Sequence, residues 1–351
     1  MWRARLARQP VLGLAGLTLV LPVAVVLGVG WSGPESSLLV LGPMSTFALP
    51  VIAMIGFWWE DWPGTALRPP LTGLLDTVLV AIGGVLATIA GQAVVSHVDL
   101  AGVFDPTAGV EHAPTFPGTM PPAGAIFVVM LELTLVLERW PLRRLDRLVG
   151  GPAALGVAWA VGIGLYEALV AGDGAVAAGD FGAALVCIGA LQVAFYVVLG
   201  GWPFTAIRPA ARRLATANLV VIGGGLLIYL ALSAADLEPA TINAAAGSVV
   251  AAGLVTGMLF EDCPERLLPT IGERIADLAT LALVAAALYL VLTVYANAVG
   301  WTRADSEEWI AYAGLNAIGA GVILHVAIGR RWPFARTDPE EAMAPGRAGP
   351  A

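Results

Sequence analysis

The chain has 351 residues, 58% of them hydrophobic and only 13% charged, at a mean hydropathy of +0.82; a soluble globular domain carries about 25% charged residues, so an ordinary water-soluble fold is excluded. The net charge is −8 and there is no lysine, which excludes a nucleic-acid-binding surface, because neutralising phosphates needs a basic face. The two cysteines, Cys187 and Cys263, fall at different depths of the topology below, so neither a disulfide nor a cysteine metal site is expected.

Roughly 20 apolar residues cross a bilayer core about 30 Å thick, and ten such segments follow one another. The first, 11–30, comes after Arg3, Arg5 and Arg8. It is too long for a secretion signal and no small-residue cleavage motif follows, so it reads as a retained span. Spans 38–59 and 73–96 lead into the longest loop, 97–120, which carries His97, Asp99, Asp105, Glu111 and His112. Of these, His97, Asp99 and His112 are weak candidates for a divalent metal; the favoured reading is a solvated acidic loop with no metal. Spans 121–138, 151–171, 180–200, 214–235, 241–260, 273–298 and 308–329 follow. The expected fold is an all-α polytopic bundle, a single transmembrane domain over 1–329, with 330–351 a cytoplasmic tail, disordered after the last Trp-Pro.

Orientation follows from arginine, which resists translocation. With ten spans, 17 of the 18 arginines fall on the side shared by both termini, and only Arg303 on the other. Both termini are therefore expected in the cytoplasm. The absent lysine and the abundance of Ala, Gly, Arg and Pro point to a bacterial cell membrane.

A Trp-Pro pair recurs where even-numbered spans reach that side: Trp62 and Pro63, Trp140 and Pro141, Trp202 and Pro203, Trp332 and Pro333, with Cys263 and Pro264 as a degenerate copy. The successive prolines lie 78, 62, 61 and 69 residues apart. Thr65, Ala66, Arg68 and Pro69 recur as Thr205, Ala206, Arg208 and Pro209. Each pair reads as an interfacial elbow: tryptophan at headgroup level, proline ending the helix, and arginines facing anionic lipid headgroups. The predicted plan is five parallel helical-hairpin repeats, over 1–59, 60–138, 139–200, 201–260 and 261–329. An inverted five-plus-five plan would move the elbows to opposite sides.

Polar groups in the spans each need a reason, since a mid-bilayer carboxylate costs roughly 2.5 to 3.5 kcal/mol on insertion scales. Glu132 lies six residues before the end of its span, a candidate proton or cation ligand, and His325 lies at a similar depth in the last span as a candidate partner. Asp76 and Asp277 both stand fourteen residues after the elbow Trp or Cys. There they suit a helix N-terminal dipole or, alternatively, a ring of acids around a vestibule. Gln92, Gln192, Asn243 and Asn316 read as interhelical hydrogen-bonding groups, and Gly253 with Gly257 as a helix-packing pair. No phosphate loop, metalloprotease or serine-hydrolase motif occurs. The function expected is a permease or channel-like transporter of a small solute or ion, without a cofactor. The alternatives are a non-enzymatic scaffold or subunit of a membrane complex and, less favoured, an enzyme acting on a lipid-linked substrate. The bilayer is the expected partner, together with a second copy or a membrane partner protein.

Overall fold

The computed structural model describes residues 9–68, 70–107, 115–172, 174–261 and 270–334. Cys263 and Pro264 of the fourth elbow, His112 of the metal candidate, and the tail beyond 334 lie outside the described residues. All regular structure among those residues is helical. The chain runs through α1 (Val11–Val29), α2 (Pro34–Ala53), α3 (Leu71–Val95), α4 (Met120–Leu131), α5 (Arg147–Leu169), α6 (Ala178–Val193), α7 (Ala210–Ser233), α8 (Pro239–Gly253), α9 (Thr270–Asn297) and α10 (Ser306–Ile328). Nine of the helices described are long and apolar enough to cross a membrane; α4 with its final turn, Met120–Val136, is shorter. The protein is a multi-pass membrane protein. The longest loop contains a one-turn helix, Leu100–Phe104, which Asp99 caps by accepting Gly102 N–H at 3.0 Å.

Burial sorts the helices into two layers. The apolar stretches of α2, α6, α8 and α10 are 78%, 61%, 61% and 67% buried, whereas those of α1, α3, α5, α7 and α9 are 17% to 28% buried. In α4, Met120, Ala123, Ile126 and Met130 are among the residues fully enclosed. The even helices touch in cyclic order, α2 to α4, α6, α8, α10 and back to α2. Each odd helix lies along the inner helix that precedes it: α3 on α2, α5 on α4, α7 on α6 and α9 on α8, while α1 lies on α10 and closes the circle. Low solvent-like polarity on the outer layer is what the bilayer requires, and small residues set the contacts between layers. On α5, a Cβ added to Gly162 would stand 2.7 Å from the backbone nitrogen of Ile126, so α5 reaches α4 only through glycine. Gly253 and Gly257 seat α8 against Val193 and Val197 of the α6 segment.

The inner helices end alike. Each widens into a π turn, at Met54–Trp58, Glu132–Val136, Ala194–Val198, Leu254–Leu259 and Leu324–Ile328. The residue three before the elbow Trp then bonds back five residues, as in Trp59 N–H to Met54 O at 2.9 Å and Gly329 N–H to Leu324 O at 2.7 Å. Two left-handed residues follow and turn the chain out of the helix: Glu60 and Asp61, Glu138 and Arg139, Gly200 and Gly201, Arg330 and Arg331. Trp140, Trp202 and Trp332 stand exposed beyond them, where an indole suits the headgroup region. At the opposite end, Glu35 at the start of α2 accepts Thr302 and Arg303 N–H groups and pairs with Arg303 at 3.8 Å. The one arginine predicted on that side is thus tied to an acid and to Pro106 O.

Candidate functional site

The inner helices enclose a central cavity of about 90 Å³, with residues of all five in its lining. Its register is regular. Sixteen residues before each elbow Trp, or Cys263 in the fourth, stand Thr46, Gly124, Val186, Gly247 and Asn316, and all five line the cavity. Thirteen before stand Leu49, Phe127, Gly189, Val250 and Gly319, and all five line it again. Four of these ten positions are glycines, which keep the space open; Gly124 and Gly189 have no atom nearer than 3.9 Å to an added Cβ.

The polar groups of the lining cluster where α8, α10 and α2 meet. Asn243 Nδ2 donates to the Tyr312 hydroxyl at 2.9 Å, and Asn316 Nδ2 donates to Thr46 Oγ1 at 2.8 Å and to Tyr312 O. Asn243 Oδ1 is buried without a partner, so an acceptor is left over at the wall of the cavity. Among the described residues no charged side chain is part of the lining. What the arrangement offers chemically is a small, mostly apolar cavity with amide and hydroxyl groups spread over about one helical turn.

The intramembrane residues flagged by the sequence lie elsewhere. Glu132 begins the π turn of α4 and accepts from Gln192 Nε2 at 2.6 Å, and the same Nε2 donates to Val128 O at 3.2 Å. This ties α4 to α6 beside the cavity rather than in its lining. His325 is on α10, which is separated from α4 by α2 in the ring; no hydrogen bond joins it to Glu132, and its Nε2 has no partner. Asp76, fully buried, accepts Gly64 N–H at 3.0 Å and so straps α3 to its own elbow. Asp277 pairs with Arg274 at 3.3 Å. The four groups are not brought to one site. His97 Nδ1 lies 3.0 Å from Ser96 Oγ and Asp99 serves as a helix cap; among the described residues no cluster of three or more His, Cys, Asp or Glu side chains could hold a metal.

The elbows carry a second polar layer, and much of its arginine is used within the protein. Arg139 donates to Phe57 O of the preceding elbow at 2.5 Å and lies 5.6 Å from the Trp58 ring centre. Arg331 donates to Met258 O and Leu259 O and pairs with Glu261 at 2.8 Å. Arg330 pairs with Asp61 at 3.0 Å, and Arg213 with Glu138 at 2.6 Å. The π turns leave the carbonyls that Arg139 and Arg331 use. Burial pushes the Asp61 carboxyl up to about 6 in spite of the Arg330 hydrogen bond, and burial also lowers Arg331 from its usual range against the pull of Glu261.

Comparison with protein-family models, curated proteins and solved structures gave no match. The residues that line the cavity were not singled out by sequence reasoning, apart from Asn243 and Asn316. A signal for them existed, since a fixed offset from each elbow Trp picks out both layers.

Proposed function

We propose that the protein is a channel-like permease whose passage follows the axis of the five inner helices. The observation that carries this is the double layer of lining residues at constant offsets, one from each inner helix. It also supports the reading of the chain as five parallel hairpins, with ten crossings and a single domain over 1–329, because a chance cavity would have no reason to keep register with the Trp-Pro elbows. The cyclic order of contacts and the recurring π turn with two left-handed residues support the same plan. The solute proposed is small and either uncharged or weakly hydrated: stripping a strongly hydrated cation needs rings of carbonyls or carboxylates, and the polar lining groups are the amides and hydroxyls of three of the five helices. In this reading Glu132 is an interhelical tie rather than a ligand of the solute. The arginine-rich elbows are proposed to face the cytoplasm of a bacterial cell, on the strength of the arginine asymmetry.

The test is flux across proteoliposomes of the full chain, for water, urea, glycerol and potassium chloride, against protein-free vesicles. Faster passage of at least one is expected, and rates at the protein-free level for all four count against the permease. The narrowness of the cavity supports a second reading, a scaffold or subunit within a membrane complex. A partner that co-purifies in fixed ratio, with flux absent, would favour that reading. An enzymatic role has less support, because no acid and base converge on the cavity among the described residues.

A further inference from the structure

Between the outer helices α1 and α3 a furrow runs lengthwise along the protein, with α2 and α10 as its floor. A part of about 520 Å³ near the elbows continues into a part of about 470 Å³ farther along, the two sharing Pro22, Val23, Thr77 and Leu324. Along α3 it extends from Pro70 to Val85, roughly 22 Å at 1.5 Å per residue, which exceeds half of a hydrocarbon core about 30 Å thick. The next furrow round, between α3 and α5, is closed differently. There Trp159, nineteen residues after Trp140, stacks on Phe47 with ring centres 5.8 Å apart. Nineteen residues after Trp62 stands Ala81, exposed and in the wall of the open furrow.

The elbow end of this furrow is polar. His325, 7% exposed, lines it with part of its ring, while its Nε2 is buried against Gly16 of α1. Arg330 lines it too, holding Asp61 through Nε, with no partner for its two terminal nitrogens among the described residues. The exposed Trp332 stands beside them. A guanidinium whose terminal nitrogens are open and an interfacial indole at the mouth of a chain-length apolar slot match a phosphate-bearing lipid.

We propose that this furrow holds one acyl chain of an anionic phospholipid, with its phosphate at the terminal nitrogens of Arg330, beside Trp332. The site requires only that α1, α3 and α10 span the bilayer, so it stands apart from the passage. The experiment is native mass spectrometry of the full chain in detergent, delipidated and then equilibrated with phosphatidylglycerol and phosphatidylcholine of the same chain length. One retained phosphatidylglycerol is expected, favoured by about tenfold over phosphatidylcholine. Thr77→Trp and Ala81→Trp, both at exposed positions on α3, should each cut that retention about tenfold at an unchanged elution profile. Equal retention of the two lipids, which is annular lipid only, or tryptophan variants that retain phosphatidylglycerol as the wild type does, would overturn the proposal.

Discussion

Gly189 offers the sharpest perturbation of the passage. It lies on α6 in the second lining layer, and a Cβ placed there meets nothing closer than Val128 Cγ2 at 3.9 Å, an ordinary contact. Gly189→Leu therefore projects into open space rather than into a packed wall. The cavity of about 90 Å³ has room for only a few waters, and the four carbons that a leucine adds there are expected to block it. With no free cross-section left, flux should fall by at least about tenfold, equivalent to roughly 1.4 kcal/mol of added barrier, for whichever of the four probes crosses faster than through protein-free vesicles. Stopped-flow light scattering reads water, urea and glycerol, and planar-bilayer conductance reads potassium chloride. Gly189→Ala should fall between wild type and leucine. A leucine variant that elutes and melts as wild type yet carries the probe at the wild-type rate would refute an axial passage.

Other substitutions separate packing from passage. Gly162→Leu forces a side chain against the Ile126 backbone and should cost about 1–3 kcal/mol or more of overpacking, seen as a lower melting temperature in detergent; an unchanged melt would mean that α5 and α4 are not in close contact. Glu132→Gln keeps a hydrogen-bonding partner for Gln192 outside the lining, so flux should stay within about twofold, well under 1 kcal/mol of barrier; loss of flux would return Glu132 to the path. Asp61 has a folded value of about 6 against 3.8 in the unfolded chain. Its contribution to stability is therefore full below 3.8 and is lost as pH rises through about 6, because the buried form prefers its proton. The melting temperature should drop between pH 4 and pH 7 in the wild type and drop less in Asp61→Asn; identical profiles would contradict this. Single cysteines at 62 and 202, in a background without Cys187 and Cys263, should react with an impermeant maleimide from the same face of sealed vesicles.

Much of the architecture is written in residues whose physical role is local. The apolar runs give the helices, since a bilayer leaves a spanning segment little other choice, and the Trp-Pro pairs mark where four of them end. The short α4 was legible too, 121–138 against the observed Met120–Val136, because Pro121 and Pro122 suit the first turn of a helix. Which helices form the inner layer was not legible, because α3 and α2 are equally apolar and differ in what surrounds them: Phe47 is enclosed, while Leu74 and Leu86 face outward. The polar residues misdirected attention for a related reason. Glu132 and Asp76 stand out by their burial cost, yet each is held through one oxygen by a neighbour on another element, Gln192 in one case and the Gly64 N–H in the other, while Glu132 Oε1 and Asp76 Oδ2 stay buried without a partner among the described residues. The cavity is made by what is missing, glycine at 124, 189, 247 and 319, and missing side chains carry no charge to draw the eye.

The passage itself is tested most directly by placing one thiol in it. Gly124→Cys, with Cys187 and Cys263 replaced, puts a sulfur in the first lining layer, where nothing closer than 4.0 Å crowds the Cβ. Its modification by a small charged methanethiosulfonate is followed by mass while flux is recorded on the same vesicles. Flux that stops in step with labelling is the predicted result; full labelling with flux at its original rate would contradict a route along the axis of the five inner helices.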